Sequence, residues 1–137
     1  MWAAALNSEV VVLQALLAAN ATVDARDKDA MTSLMFAAGW NSEVAVLQAL
    51  LAANATVDDR NKPGRTSLML TAEGNNVATA SALITAGAAA VEQRSPDGLT
   101  ARDFAMSAGA HAVLHALPSE SSLATQYRSR CCMNYDA

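Results

Sequence analysis

At 137 residues the chain is long enough for one modest domain. Its residues are 53% hydrophobic but only 4% aromatic, with Ala and Leu supplying most of the apolar character, a balance that suits closely packed helices better than a β-sandwich. A net charge of −4 leaves no basic footprint for nucleic acid or anionic lipid, so neither is an expected partner.

The N-terminal run MWAAALNSEVVVLQALLAANA looks apolar enough for a signal peptide, but no cationic segment opens it and Asn7, Ser8 and Glu9 interrupt it. It is also written twice. Residues 7–29 and 41–63 agree at 19 of 23 positions, differing only at Val11/Ala45, Ala25/Asp59, Asp27/Asn61 and Asp29/Pro63, at an offset of 34 residues. The same offset separates Thr32-Ser33-Leu34-Met35 from Thr66-Ser67-Leu68-Met69, and Thr66 from Thr100. A fixed period between about 20 and 50 residues marks an array of small units, none of which buries its apolar face alone. The repetition makes the N-terminal run a structural unit, and no stretch reaches the roughly 18 to 20 apolar residues of a membrane span.

Four units follow from the offset, at 1–24, 25–58, 59–91 and 92–117. The first places Met1 opposite Met35 and Trp2 opposite Phe36, and lacks a counterpart to Asp29–Leu34. Either it is a degenerate cap or the true chain begins further upstream; a near-perfect duplicate should have kept its first turn, which favours the upstream start. The second unit shows the plan best. Thr32 stands as N-cap before a short helix over Ser33–Ala38, Gly39-Trp40-Asn41-Ser42 forms a turn, and Glu43–Ala53 forms a second helix. Val46, Leu47, Leu50 and Leu51 make a core-facing stripe on that second helix. Asn54 stops it, since Asn tolerates a left-handed cap, and Pro63-Gly64 turns the chain toward the next Thr.

The third unit erodes the plan, with Thr79 and Ala80 where Val46 and Leu47 stood, and Gly87 as cap. The fourth runs from Pro96-Asp97-Gly98-Leu99-Thr100 through ARDFAMSAGAHAVLHAL to Pro118, which cannot continue a helix. Residues 118–137 have no periodicity and read as a mobile, disordered tail.

These units resemble the ankyrin repeat, whose first helix opens Thr-Pro-Leu-His-x-Ala-Ala and whose second ends Leu-Leu before Gly-Ala-Asp-Val-Asn. The opening stands here as Thr32-Ser33-Leu34-Met35-Phe36-Ala37-Ala38 and Thr66-Ser67-Leu68-Met69-Leu70-Thr71-Ala72. The closing stands as Leu50-Leu51-Ala52-Ala53-Asn54-Ala55-Thr56-Val57-Asp58, and Thr100-Ala101-Arg102-Asp103-Phe104-Ala105 is similar to a terminal repeat's opening. The resemblance covers residues 1–117 and implies an all-α solenoid of helix-turn-helix units joined by hairpin-like loops. The chain departs from the family in its 34-residue period, in lacking the motif's His and Pro, and in placing Ala30 where Gly64 and Gly98 hold the turn. If that turn needs positive φ, Ala30 costs stability.

The resemblance implies a binding surface. In that family the fifth motif residue and the turn residues before the motif line a concave groove, positions held here by Trp2, Phe36, Leu70 and Phe104, with Met31, Arg65 and Leu99 beside them and Trp40 nearby. A contiguous apolar row on a groove suits partner recognition, although such a residue is also commonly half-buried packing.

Other candidate chemistry is weaker. His111 and His115 stand at i, i+4 and with Cys131 and Cys132 would make four metal ligands, but the resemblance implies a packing role for the first His, and the cysteines lie on the tail. Asn20-Ala21-Thr22 and Asn54-Ala55-Thr56 match a glycosylation sequon only because the repeat's cap recurs. The adjacent cysteines cannot staple distant segments, which points to a reducing compartment, and no prenyl box surrounds them. Asp24, Asp27, Asp29, Asp58 and Asp59 stand where solvated turn residues belong.

No phosphate loop, spaced carboxylate pair or serine-type constellation appears, so the chain is expected to be no enzyme and to need no cofactor or metal. Two functions remain open. One is a monomeric, non-catalytic module in the cytoplasm or nucleus that binds another protein. The other is a regulatory or targeting fragment of a larger enzyme or channel.

Overall fold

The computed structural model describes residues 10–40, 44–87 and 91–118. Among these residues there are seven helices and no strand: α1 Val10–Ala18, α2 Ser33–Trp40, α3 Val44–Ala52, α4 Ser67–Gly74, α5 Val77–Ala86, α6 Ala101–Ser107 and α7 His111–Ala116. They pack in two rows. One row stacks α2 on α4 and α4 on α6, the other stacks α1 on α3, α3 on α5 and α5 on α7, and the pairs α2–α3, α4–α5 and α6–α7 join the rows. Among the described residues, no helix is long and apolar enough to cross a membrane.

Threonines start the first row. Thr32 Oγ1 accepts from the Met35 amide at 3.3 Å, Thr66 Oγ1 from Met69 at 3.4 Å and Thr100 Oγ1 from Asp103 at 3.4 Å. Each satisfies an amide that a helix N-terminus leaves without an intrahelical partner. Asp103 returns the favour by accepting from the Thr100 amide at 2.8 Å, closing a capping box. Its carboxyl is held below the usual Asp value, first by the Thr100 amide and then by the Thr100 hydroxyl, with smaller help from Arg94 and Arg102. Because the folded pKa is depressed, the cap's contribution is present above pH 3.8 and fades as pH falls through the lower folded value.

The near-identical segments fold alike. α1 and α3 occupy equivalent bounds and end on Asn20 and Asn54, both left-handed at φ 64 and 61. The first helix of the second unit is longer than expected. It continues through Gly39 and Trp40, where a turn was expected, because Trp40 lies one helical turn past Phe36 and their rings pack with centroids 5.6 Å apart.

The main core holds Leu34, Leu47, Leu50, Leu68, Leu83 and Val113, each almost fully excluded from solvent. Burying a side chain of this kind stabilises by about 1.5–3 kcal/mol. The eroded third unit pays for its changes at Thr79, which is fully buried where the second unit has Val46 and whose hydroxyl finds no partner. Identical sequence does not guarantee identical burial. Leu16 is 43% exposed, whereas Leu50, its counterpart in α3, is 1% exposed.

The loops repeat as closely as the helices. Turns Asp27–Met31, Asn61–Arg65 and Ser95–Leu99 are each closed by the first residue's amide donating to the last residue's carbonyl, at 3.1, 3.1 and 2.8 Å. In each, the first side chain also accepts from the last amide, at 2.9, 2.8 and 3.2 Å. The fourth residue is left-handed every time: Ala30 at φ 58, Gly64 at 76 and Gly98 at 80. Ala30 therefore carries the expected strain, about 1–2 kcal/mol for a residue with a Cβ.

Side chains join one loop to the next. Arg26 Nη1 donates to the Arg60 carbonyl at 3.2 Å, and Arg60 Nη1 donates to the Arg94 carbonyl. Arg26 also pairs with Asp59, and Asp24 accepts from both the amide and the hydroxyl of Thr56 at 2.9 Å.

Candidate functional site

The turns and the first row of helices position the residues marked out in the sequence. Trp2 lies outside the described residues. Met31, from the first turn, meets Met35 of α2 and Leu70 of α4 in a small apolar cluster, with Phe36 packed against it. This cluster is separate from the main core and contains no residue of the second row. Trp40 extends it outward. Packed at a tilt against Phe36, Trp40 is nevertheless 63% exposed.

One unit further, the site becomes charged. The third-unit turn delivers Arg65, whose guanidinium lies 4.9 Å over the Phe104 ring and pairs with Glu73 of α4 at 2.7 Å. Cation and ring attract through the ring's quadrupole, by about 0.5–1 kcal/mol at a site open to water. Leu99, at the last turn, is exposed.

The row is thus split in two. Phe36, Trp40, Arg65 and Leu99 present accessible surface, whereas Met31, Leu70 and Phe104 are buried, each no more than 7% exposed. Long side chains from the turns cause the difference. Met31 and Arg65 fold back over the ring row, one onto the Leu70 cluster and the other onto Phe104. Glu73 belongs to this surface and Met35, fully buried, supports it from beneath; neither stands among the residues singled out from the sequence. Glu73 stands three residues beyond Leu70 on the same helix, a spacing that places both on one face, and this was the signal that could have found it.

The arrangement offers an oriented indole beside a phenyl edge, then an ion pair on an aromatic base. Such a surface can bury apolar side chains of a ligand and hydrogen-bond its backbone or carboxylates. His111 and His115 are both exposed on α7, and among the described residues no group of three metal-ligating side chains forms. Cys131 and Cys132 lie outside the described residues. Compared with family models and with curated proteins, the sequence matches none.

Proposed function

We propose that this chain is a non-catalytic protein-interaction module of ankyrin-like, solenoid construction. Its docking surface is the row Phe36, Trp40, Arg65 and Leu99, supported from beneath by Met31, Leu70 and Phe104. The observation that carries the reading is Trp40, a large aromatic left mostly in solvent yet held against Phe36. An indole already fixed in orientation loses little rotamer freedom on binding, and Trp and Arg are the residues that most often dominate an interface. The construction is supported by the 34-residue recurrence of threonine caps, left-handed turn residues and arginine donors.

Affinity capture from source-cell extract, quantified for three chains, tests the docking surface. Trp40→Ala should leave the melting temperature unchanged and weaken a wild-type-captured protein roughly thirtyfold or more, the loss of about 2 kcal/mol typical of a dominant interface residue. Gln48→Ala, on the exposed side of α3, should bind as wild type. Equal capture by the Trp40 and Gln48 variants would remove Trp40 from the interface.

A further inference from the structure

The charges of this molecule are segregated. Among the described residues every Asp, Glu, Lys and Arg lies within 24–29, 58–65 or 92–103, with Glu73 the exception. The second-row helices α1, α3, α5 and α7 contain none; His111 and His115 of α7 are their titratable side chains. A surface helix ordinarily turns a charged or strongly polar face to water. Here the exposed positions of α3 and α5 include Gln48, Ala78, Ser81 and Thr85. Between these two helices the row opens into a groove of about 580 Å³, walled by Val44, Gln48 and Leu51 on one side and by Ala78, Ser81 and Thr85 on the other. Val44 and Leu51 are half-buried and keep apolar surface in the groove. Thr85 Oγ1 donates to the Ser81 carbonyl at 2.8 Å, so its hydrogen is already satisfied within its own helix.

We infer that this uncharged outer face is where two copies of the chain associate, α5 of each seated in the α3–α5 groove of the other. The core of an interface is depleted of charged residues, and this groove has none. No charge in it repels its own image, whereas the charges that sum to −4 over the chain would oppose self-association elsewhere. A different protein is commonly selected by complementary charge, for which the groove offers nothing. A second copy needs no such match. Its α5 presents short side chains that let two helices approach closely, and the same groove receives α5 in return. Size sets the strength. Helices α3, α5 and α7 are nine, ten and six residues long. Stacked about 10 Å apart, they offer roughly 400 Å² a side, about half of a standard interface. The dimer is therefore weak and reversible, in place of the monomer expected from the sequence. It leaves Phe36, Trp40, Arg65 and Leu99 uncovered, since all four belong to the first row or its turns.

Sedimentation equilibrium of the full chain, from about 5 to 500 μM, tests this. The average mass should climb from that of one chain toward that of two. Ser81→Glu places two carboxylates against each other across the two-fold and should weaken association at least tenfold, with the melting temperature of the dilute protein unchanged. Gln48→Lys, on the opposite wall, should do the same, which keeps the test decisive if Ser81→Glu fails to fold. Trp40→Ala should associate as wild type, because the docking row takes no part. With Cys131→Ser and Cys132→Ser in place, Ser81→Cys should give a disulfide-linked dimer on mild oxidation at the high concentration. A single-chain mass at every concentration would overturn the inference, as would undiminished association of both groove variants. Loss of the dimer in Trp40→Ala would overturn it too, by moving the contact to the docking row.

Discussion

Ala30 concentrates what single residues contribute here. Its turn is superimposable in hydrogen bonding on those of Gly64 and Gly98, so the backbone is held left-handed by the turn and not by the residue. Ala30→Gly should therefore raise stability by about 0.5–1 kcal/mol, the relief of left-handed strain less the extra entropy of a glycine in the unfolded chain. Gly64→Ala should lower it by more than about 2 kcal/mol, because a Cβ at that position would also stand 2.4 Å from Pro96 Cδ. Urea midpoints of the two variants measure both. Opposite signs are expected, and a loss at Ala30→Gly would show that the alanine methyl makes a contact worth more than the strain.

At the scale of elements, α5 carries the weakness of the stack. It keeps Leu83 as its large buried residue but has Thr79 and Ala80 where α3 has Val46 and Leu47. A buried hydroxyl without a partner costs about 1–3 kcal/mol. Thr79→Val, which restores the side chain of the second unit, should add about 1 kcal/mol by urea denaturation and slow amide exchange in α5 toward that of α3. An unchanged midpoint would mean that the hydroxyl is satisfied in solution. Much of this element scale was legible in the residues. Threonine caps, the Asn54 stop and the Leu50 stripe each depend on local chemistry that a residue type carries wherever it stands. The end of α2 was not legible, because it depends on Trp40 finding Phe36. Nor was the division of the row from Phe36 to Phe104 into exposed and buried members. Whether Leu70 and Phe104 face solvent depends on which neighbouring turn sends a Met or an Arg across them, and only the fold states that.

For the whole molecule, stability is a sum over neighbours in two rows. The arginine links between loops were invisible as links, although Arg26, Arg60 and Arg94 recur at the period. What made them invisible is their acceptor. Arg26 and Arg60 each donate to a main-chain oxygen of the following loop, which any residue supplies, so that acceptor leaves no mark in the sequence, although Arg26 also pairs with Asp59. That same indifference has a consequence for how such a chain grows. A duplicated unit arrives already able to be held by its predecessor and to hold its successor, with no second mutation needed to match them. Lengthening by tandem copying is thus close to neutral at birth, and drift such as Val46 to Thr79 can follow later. Inserting a further copy of residues 25–58 between Asp58 and Asp59 recreates that event. The longer chain should fold without any compensating change and melt at a higher temperature, since each added unit contributes a new neighbour interface; a lower melting temperature would show that its joints are matched side chain to side chain after all.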